Sequence, residues 1–165
     1  MKVVCNASPL IILGRIDRLE LLPALFGVVQ VSSEVYQEVV TSGAGRPAAT
    51  VTKAAKWIQV HPPMGPSDLA IWRGQTRLGS GELATIALAK VLTADWVILD
   101  ERAARQLAAS HNLRVIGCVG ILELAYRRKF IPDLRTAYAR LLAEGVYIAP
   151  SILNRSLAAF GLPAL

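Results

Sequence analysis

The stretch from residue 79 to residue 105 constrains the fold more strongly than any other part of the chain. It combines an apolar helical segment, the short apolar strand 96–99 and the start of another helix. Glu82 lies in the first turn of the helical segment, for which Ser80 is the expected N-cap, and Asp100 directly follows the strand. If that strand is parallel to its neighbours, Asp100 lies at the sheet edge where α/β proteins bind ligands. Each carboxylate could instead be a simple cap that complements a helix dipole.

Short apolar strands alternate with helices along the rest of the chain, and we expect five strands. The expected strands are 3–5, 28–31, 57–60, 96–99 and 114–116. The expected helices are 10–16, 19–26, 34–40, 47–56, the segment that begins near Glu82, one that ends at His111, 120–128, 132–144 and 151–160. Because parallel strands need helical crossovers, this alternation predicts an α/β fold with a mostly parallel, doubly wound sheet. A length of 165 residues suits a single domain that spans residues 1–165.

Residues 61–78 form the irregular part of the chain, since two prolines and a Gly-Pro pair exclude regular structure at its start. Trp72 in this segment has two interpretations. It covers an edge of the core, which is the commoner role of a tryptophan, or it joins Arg73 and Arg77 in a flap that contacts nucleic acid.

Composition limits the class of protein. Apolar residues make up 53% of the chain and its mean hydropathy is +0.43, which predicts a substantial core. We expect part of this apolar surface, in helices 10–16 and 19–26, to form a symmetric homodimer interface.

Lys2 leads directly into an apolar strand and no uninterrupted apolar run is long enough to span a membrane, so we expect neither a leader nor a membrane partner. Cys5 and Cys118 are too few for a disulfide framework, which favours free thiols in the reducing cytoplasm.

Charge favours a polyanionic partner such as RNA. The chain has 18 lysine and arginine residues against 12 aspartate and glutamate residues, with a net charge of +6 and a pI near 9.7. A basic chain can simply be soluble, so the charge raises the expectation of nucleic-acid binding without deciding it. The second half is the more basic one, through Arg102, Arg105, Arg114, Arg127, Arg128, Lys129, Arg135 and Arg140.

Two further polar residues are expected at the same sheet edge as Glu82 and Asp100. Asn6 ends the first strand, two residues before Ser8, which is the expected N-cap of the first helix, and Glu38 lies on the helix that follows the second strand. Parallel strands place their carboxyl ends at one edge, and the N-termini of the helices that follow them lie there too. Each residue also has a simpler interpretation, an Asx turn for Asn6 and a solvated helix face for Glu38.

Carboxylates crowded at one edge repel one another, and a divalent cation removes that repulsion. Hard oxygen ligands without a convincing histidine or cysteine partner favour Mg²⁺ or Mn²⁺ over zinc. We therefore expect Asn6, Glu82 and Asp100 to be metal ligands, with Glu38 bound to the ion directly or through water. Such sites handle phosphates, so we expect these four residues to catalyse phosphodiester hydrolysis by metal-activated water.

Four segments together resemble the PIN-domain family, particularly its VapC-like branch of prokaryotic toxin-type ribonucleases. The segments are VVCNASPLIILGRI, VSSEVYQEVV, GSGELATIALA and VILDERAARQLAASHNLRVIGCVGILELAYRRK, in this order and spacing. The resemblance implies a metal-dependent endoribonuclease with a three-layer α/β/α sandwich, usually dimeric and often the toxin that a partner antitoxin neutralises. By position, Glu38, Glu82 and Asp100 match the acidic residues of the family, and Ser8 matches a small hydroxyl residue. We accordingly expect Ser8 and Arg102 to bind substrate.

Asn6 is where this chain departs from the family pattern, which has an aspartate at that position. An amide oxygen can bind a metal ion but brings no charge, so Asn6 separates two hypotheses. One is an active Mg²⁺- or Mn²⁺-dependent ribonuclease, and the other is a catalytically weakened PIN domain that binds RNA or a protein. A smaller departure is Cys118, where the family usually has threonine or serine. A phosphoryl-receiving signalling domain is disfavoured, because it would need acidic residues where this chain has Asn6 and His61.

Overall fold

In the described part of the chain, five short strands form the central sheet, in the order β3-β2-β1-β4-β5. The computed structural model describes residues 1–70, 72, 74 and 77–165. The strands are β1 (Val3–Cys5), β2 (Val29–Ser32), β3 (Ile58–His61), β4 (Trp96–Ile98) and β5 (Val115–Ile116). Each neighbouring pair is parallel, so the predicted parallel sheet is confirmed. The strand order reverses between β1 and β4, and α/β proteins bind ligands at the carboxyl ends of the strands at such a point.

Helices cover both faces of the sheet. Within the described residues they are α1 (Ala7–Arg15), α2 (Leu21–Phe26), α3 (Ser33–Tyr36), α4 (Pro47–Ala54), α5 (Pro66–Ala70), α6 (Ser80–Val91), α7 (Arg102–Ser110), α8 (Cys118–Arg127), α9 (Leu134–Ala143) and α10 (Pro150–Ala159). A π-helical turn, Gln37–Thr41, continues α3. Every predicted helix is present, although most begin or end a few residues from the expected positions.

The alternation of side chains along the strands builds two cores, one on each face of the sheet. In β1, Val3 and Cys5 belong to the first core and Val4 belongs to the second. In β4, Ile98 belongs to the first core and Val97 to the second. Helices α1, α2, α8, α9 and α10 cover the first core, and α5, α6 and α7 cover the second. The result is the three-layer α/β/α sandwich that the resemblance implies.

The N-cap residues of α1 and α6 differ from the predicted ones, which were Ser8 and Ser80. Ser80 is the first residue of α6 and Gly79 occupies the N-cap position, so Ser80 is not the cap. Helix α1 begins directly after β1, with Asn6 at its N-cap position. The Asn6 backbone N–H donates to the Ile98 carbonyl at 3.1 Å, which continues the pairing of β1 with β4 up to the helix. The Asn6 side chain forms no capping hydrogen bond, which leaves its amide to other partners.

Trp72 is only 4% exposed and packs in the second core. Its ring centroid lies 5.1 Å from that of His111, and the Lys90 Nζ lies 5.4 Å from the Trp72 centroid. The interpretation of Trp72 as a residue that covers the core edge is therefore confirmed. The alternative flap included Arg73, which lies outside the described residues, and Arg77, which is exposed.

Much of the chain's apolar content is used in the two cores. Leu10 and Leu13 of α1 and Leu22 and Leu25 of α2 are buried in the first core. The two helices expected to supply a dimer interface thus direct these side chains into their own chain, and the homodimer stays a prediction. Within the described residues, no helix is both long and apolar enough to cross a membrane.

Candidate active site

The carboxyl edge of the sheet around β1 and β4 is where the sequence-predicted residues lie. Asn6 directly follows β1, and Asp100 comes two residues after β4 ends. Glu82 lies in the first turn of α6, and Glu38 lies in the π-helical turn that continues α3. Because α3 packs against α6, the two glutamates approach each other across these helices.

Gly81 provides space at the point where Asn6 and Glu38 converge. A Cβ atom at Gly81 would lie 3.0 Å from Glu38 Oε2 and 3.7 Å from Asn6 Oδ1. A side chain at this position would therefore press on the Glu38 carboxylate and fill the space between the two oxygens. This role of Gly81 was not predicted from the sequence, although a glycine in the first turn of an otherwise apolar helix is a signal that could have revealed it.

Thr85 holds the Asn6 side chain, which is only 1% exposed. The Thr85 hydroxyl lies 2.8 Å from the Gly81 carbonyl, to which it donates, and 3.3 Å from Asn6 Oδ1. Since a hydroxyl has one proton, the shorter contact with Gly81 is the stronger hydrogen bond. Thr85 is buried within α6, and its hydroxyl contacts the Asn6 amide from the helix side. The sequence analysis missed it, because one threonine in an apolar helix gives no distinctive signal.

Glu38 and Glu82 form a pair of like charges. Burial of the Glu38 carboxylate raises its pKa above the usual value, and the nearby charge of Glu82 raises it further. Glu38 as a whole residue is exposed, but its carboxylate turns inward to Gly81, which accounts for the loss of water around the charged end. Among the described residues, no lysine or arginine forms an ion pair with either glutamate. Within the described residues, the pair therefore has no cationic side chain as a partner.

Asp100 is held by the N-terminus of α8. Its Oδ1 accepts a hydrogen bond from the Cys118 backbone N–H at 2.8 Å, and its Oδ2 accepts one from the Cys118 thiol at 2.9 Å. The positive end of the α8 dipole also favours an anion here. A Cβ atom at Gly117 would lie 2.8 Å from Asp100 Oδ1 and 2.6 Å from Arg105 Nη1, so a side chain at this position would disturb both groups.

Arg105 and the two thiols complete the surroundings of Asp100. Arg105 Nη1 donates to the Leu99 carbonyl at 2.9 Å, which fixes the guanidinium beside the site. Burial raises the pKa of the Cys118 thiol well above its usual value, and the charge of Asp100 adds to the rise. Burial and Asp100 raise the pKa of Cys5 in the same way. Both cysteines are free and buried, as predicted, and Cys118 additionally acts as a hydrogen-bond donor to Asp100.

The two residues expected to bind substrate lie on either side of this edge. Ser8 is half-buried in the first turn of α1, two residues after Asn6. Arg102 is exposed at the start of α7 and lines an open groove together with Asp100 and Arg105. Their role in binding substrate stays a prediction.

The oxygen ligands are suited to a hard cation, but they do not form one compact cluster. Among the residues that the structure describes, no three His, Cys, Asp or Glu side chains are grouped closely enough to hold a metal ion. One reason is that Cys118 fixes Asp100 at α8, whereas the Glu38 carboxylate lies beside Gly81 and the Glu82 carboxylate beside Gly79, both on α6 or at its start. Mg²⁺ usually keeps several waters and needs only one or two protein carboxylates, so the glutamate pair with the Asn6 amide oxygen fits such an ion.

Comparisons with known proteins agree with this architecture. A family model described as DUF3368, PIN domain, matches residues 2–161. Among solved structures, the chain is similar to a PilT N-terminus domain protein from the hyperthermophilic archaeon Sulfolobus solfataricus P2, with a TM-score of 0.51 and 16% sequence identity. The match covers 73% of this chain and 90% of the other, and it supports the fold alone. No curated protein matches the chain.

Proposed function

Because the chain belongs to the PIN-domain family, whose members are generally nucleases, we propose that it is a metal-dependent endoribonuclease that hydrolyses RNA phosphodiester bonds. The observation that carries this proposal is the convergence of Glu38 and Asn6 oxygens on Gly81, beside Glu82. Two carboxylates without a cationic partner among the described residues, together with an amide oxygen at a sheet edge, suit a divalent cation that handles phosphate.

Each residue at the edge has a separate task in this proposal. Glu38, Glu82 and Asn6 would hold Mg²⁺ or Mn²⁺, which supplies Lewis-acid activation of the phosphoryl group and of water when bound. Cys118 fixes the orientation of Asp100, and the remaining lone pairs of Asp100 would accept a hydrogen bond from the attacking water. The sequence also predicts Asp100 as a ligand of the ion.

Positive charge beside the carboxylates supports RNA as the substrate. Arg102 is exposed at the start of α7, and Arg105 is fixed beside Asp100 by its bond to Leu99. These guanidinium groups can pair with phosphate oxygens on either side of the scissile bond. Ser8, in the first turn of α1, can donate a hydrogen bond to the same backbone.

The finer biological role is proposed on the sequence resemblance. We propose a toxin of a toxin–antitoxin pair, acting in the cytoplasm as a homodimer and neutralised by an antitoxin protein. The free thiols suit a reducing compartment. The role predicts growth arrest when the chain is expressed alone and normal growth with its Asp100→Ala variant. Light scattering at micromolar concentration tests the homodimer, and a monomer would contradict it.

A second function is favoured by Asn6 itself. Without the charge of an aspartate, the metal site is weaker, and the same basic edge could bind RNA or a protein without cleaving it. This alternative predicts RNA binding at low salt that Asp100→Ala leaves intact, together with no metal-dependent cleavage.

The decisive experiment is cleavage of mixed RNAs by the purified chain with Mg²⁺, with Mn²⁺ and with EDTA. The nuclease proposal expects cleavage that needs the metal and disappears in Asp100→Ala purified in parallel. The mutant serves as the control for contaminating ribonucleases. Absence of cleavage by the parent chain while Mn²⁺ binds would favour the binding module.

A further inference from the structure

An open groove extends from Asp100 along the outside of α8. Its volume is about 700 Å³, and it lies among α7, β5, the first half of α8 and the segment that joins α9 to α10. Asp100, Arg102 and Arg105 contribute charge to its lining, and Ile116, Val119 and Ile152 contribute apolar surface. The groove thus joins the candidate active site to an apolar surface large enough for a nucleobase.

Tyr147 is the most exposed large apolar side chain in the groove lining. Its relative exposure is 93%, although its neighbour Val146 is only 7% exposed. The Val146 backbone N–H donates to the Leu141 carbonyl at 3.0 Å, and Gly145 takes a positive φ of 74° as the chain leaves α9. The backbone therefore points Val146 inward and presents the Tyr147 ring to solvent. An exposed aromatic ring next to arginines is a platform on which an unpaired base can stack.

Glu123 adds a fixed acceptor to the same groove. Its Oε1 accepts a hydrogen bond from Ser156 Oγ at 2.5 Å, and the Ser156 Oγ lies 2.6 Å from the Tyr138 hydroxyl. Burial raises the pKa of Tyr138 to about 12, and the nearby charge of Glu123 contributes to the rise. The Tyr138 hydroxyl therefore keeps its proton at neutral pH and can donate to Ser156, which leaves the Ser156 proton for Glu123. These two hydrogen bonds orient the Glu123 carboxylate, and they leave Oε2 and a second lone pair of Oε1 available as acceptors.

A fixed carboxylate discriminates among the four bases. Guanine presents two adjacent N–H donors on its Watson–Crick edge, whereas adenine and cytosine each pair a donor with an acceptor and uracil places its single donor between two acceptors. Single-stranded RNA exposes these edges to protein side chains. A carboxylate can accept from both guanine donors and meets a repelling acceptor on each of the other bases.

We propose that this groove holds an unpaired guanine of the RNA substrate, stacked on Tyr147 and bonded through its Watson–Crick edge to Glu123. Arg102 and Arg105 contact the adjoining phosphates, which connects the base to the scissile bond at Asp100. The proposal rests on the nuclease function and specifies its substrate preference. The arginines at the Asp100 end complement RNA phosphates and favour RNA over an apolar protein segment as the occupant.

Binding without cleavage tests the proposal independently of catalysis. Fluorescence anisotropy in EDTA compares short labelled single-stranded RNAs that carry one G, A, C or U in an otherwise identical sequence. We expect the parent chain to bind the G-containing RNA most tightly. Tyr147→Ala should weaken that binding roughly 5-fold or more, and Tyr147→Phe should retain it because the ring remains. Glu123→Gln should reduce the preference for G to within about twofold, because the amide offers a donor where guanine needs an acceptor.

Phe130→Ala provides a matched control, since Phe130 is also exposed but does not line the groove. It should leave binding of all four RNAs unchanged, and melting temperatures confirm that each variant is folded. The base site would be overturned if the four RNAs bound equally well to the parent, to Tyr147→Ala and to Glu123→Gln. The groove would then be left for a protein segment. A G preference that depends on Tyr147 in a chain that cleaves nothing would support the base site and contradict only the nuclease function.

Discussion

The carboxylates at the two ends of the candidate site differ in their partners. At one end, the charge of Glu82 raises the pKa of Glu38, and no lysine or arginine among the described residues forms an ion pair with either glutamate. At the other end, both oxygens of Asp100 accept hydrogen bonds from Cys118 at the start of α8. The glutamate pair gains stability when a cation arrives, whereas Asp100 already has its partners.

This difference indicates separate roles for the two ends of the site. A pair of repelling carboxylates suits metal capture, because the cation removes their repulsion. A carboxylate whose orientation does not depend on the metal suits the positioning of reacting groups. We therefore expect substitutions at Asp100 to change turnover, and substitutions at the glutamate pair to change metal affinity and stability.

The largest effect is expected at Asp100. Asp100→Asn keeps the shape of the side chain but removes its charge and one acceptor oxygen, so cleavage should fall roughly 10²-fold or more. The measurement is single-turnover cleavage at saturating Mn²⁺. Mn²⁺ affinity measured by calorimetry should change less than cleavage does. A variant that cleaves at the parental rate would show that Asp100 is structural.

The next largest effect is expected at Asn6. Asn6→Asp adds an anionic ligand beside Glu38, so Mn²⁺ binding should tighten by about tenfold or more, and RNA cleavage should rise with it. Without metal, the same change adds a like charge to the pair and should lower the free energy of unfolding at neutral pH. Calorimetry and cleavage assays check both. A variant that binds Mn²⁺ tightly and still cleaves nothing would favour the binding module.

A smaller effect is expected at Cys118. Cys118→Ala removes the thiol donor to Asp100 and should cost about 0.5–1.5 kcal/mol in the free energy of unfolding, with a modest loss of cleavage. Cys118→Ser keeps a donor in the same place and should lose less. Because burial raises the pKa of this thiol, iodoacetamide should modify it only after unfolding. Equal losses in the two variants would show that packing, not the hydrogen bond, is what matters.

The sequence predicted the order of strands and helices well, because strand periodicity and apolar runs are local signals. It also predicted that Asn6, Glu38, Glu82 and Asp100 would share one sheet edge, since parallel topology fixes which ends meet. It could not predict that Cys118 binds Asp100, because α8 and β4 approach only in three dimensions. Nor could it predict that Asn6, rather than Ser8, stands at the start of α1, since helix boundaries depend on where the strand pairing ends.

The smallest effect is expected at the glutamate pair itself. The folded-state pKa of Glu38 is raised, so ionising Glu38 costs the folded protein stability, and that cost appears as pH rises through this pKa. Without metal at pH 7, Glu38→Gln should therefore raise the free energy of unfolding slightly, since solvent screens the charge of this exposed residue, and the gain should vanish well below about pH 4. Urea titrations measure both values. Glu82→Gln should give a smaller gain, because it removes the repulsion but leaves the Glu38 charge partly buried, and the double variant should add little to Glu38→Gln. Mn²⁺ should reverse the order of stability, because it stabilises the parent more than either variant. Stability gains of the variants that persist at low pH would exclude the carboxylate charges as their cause.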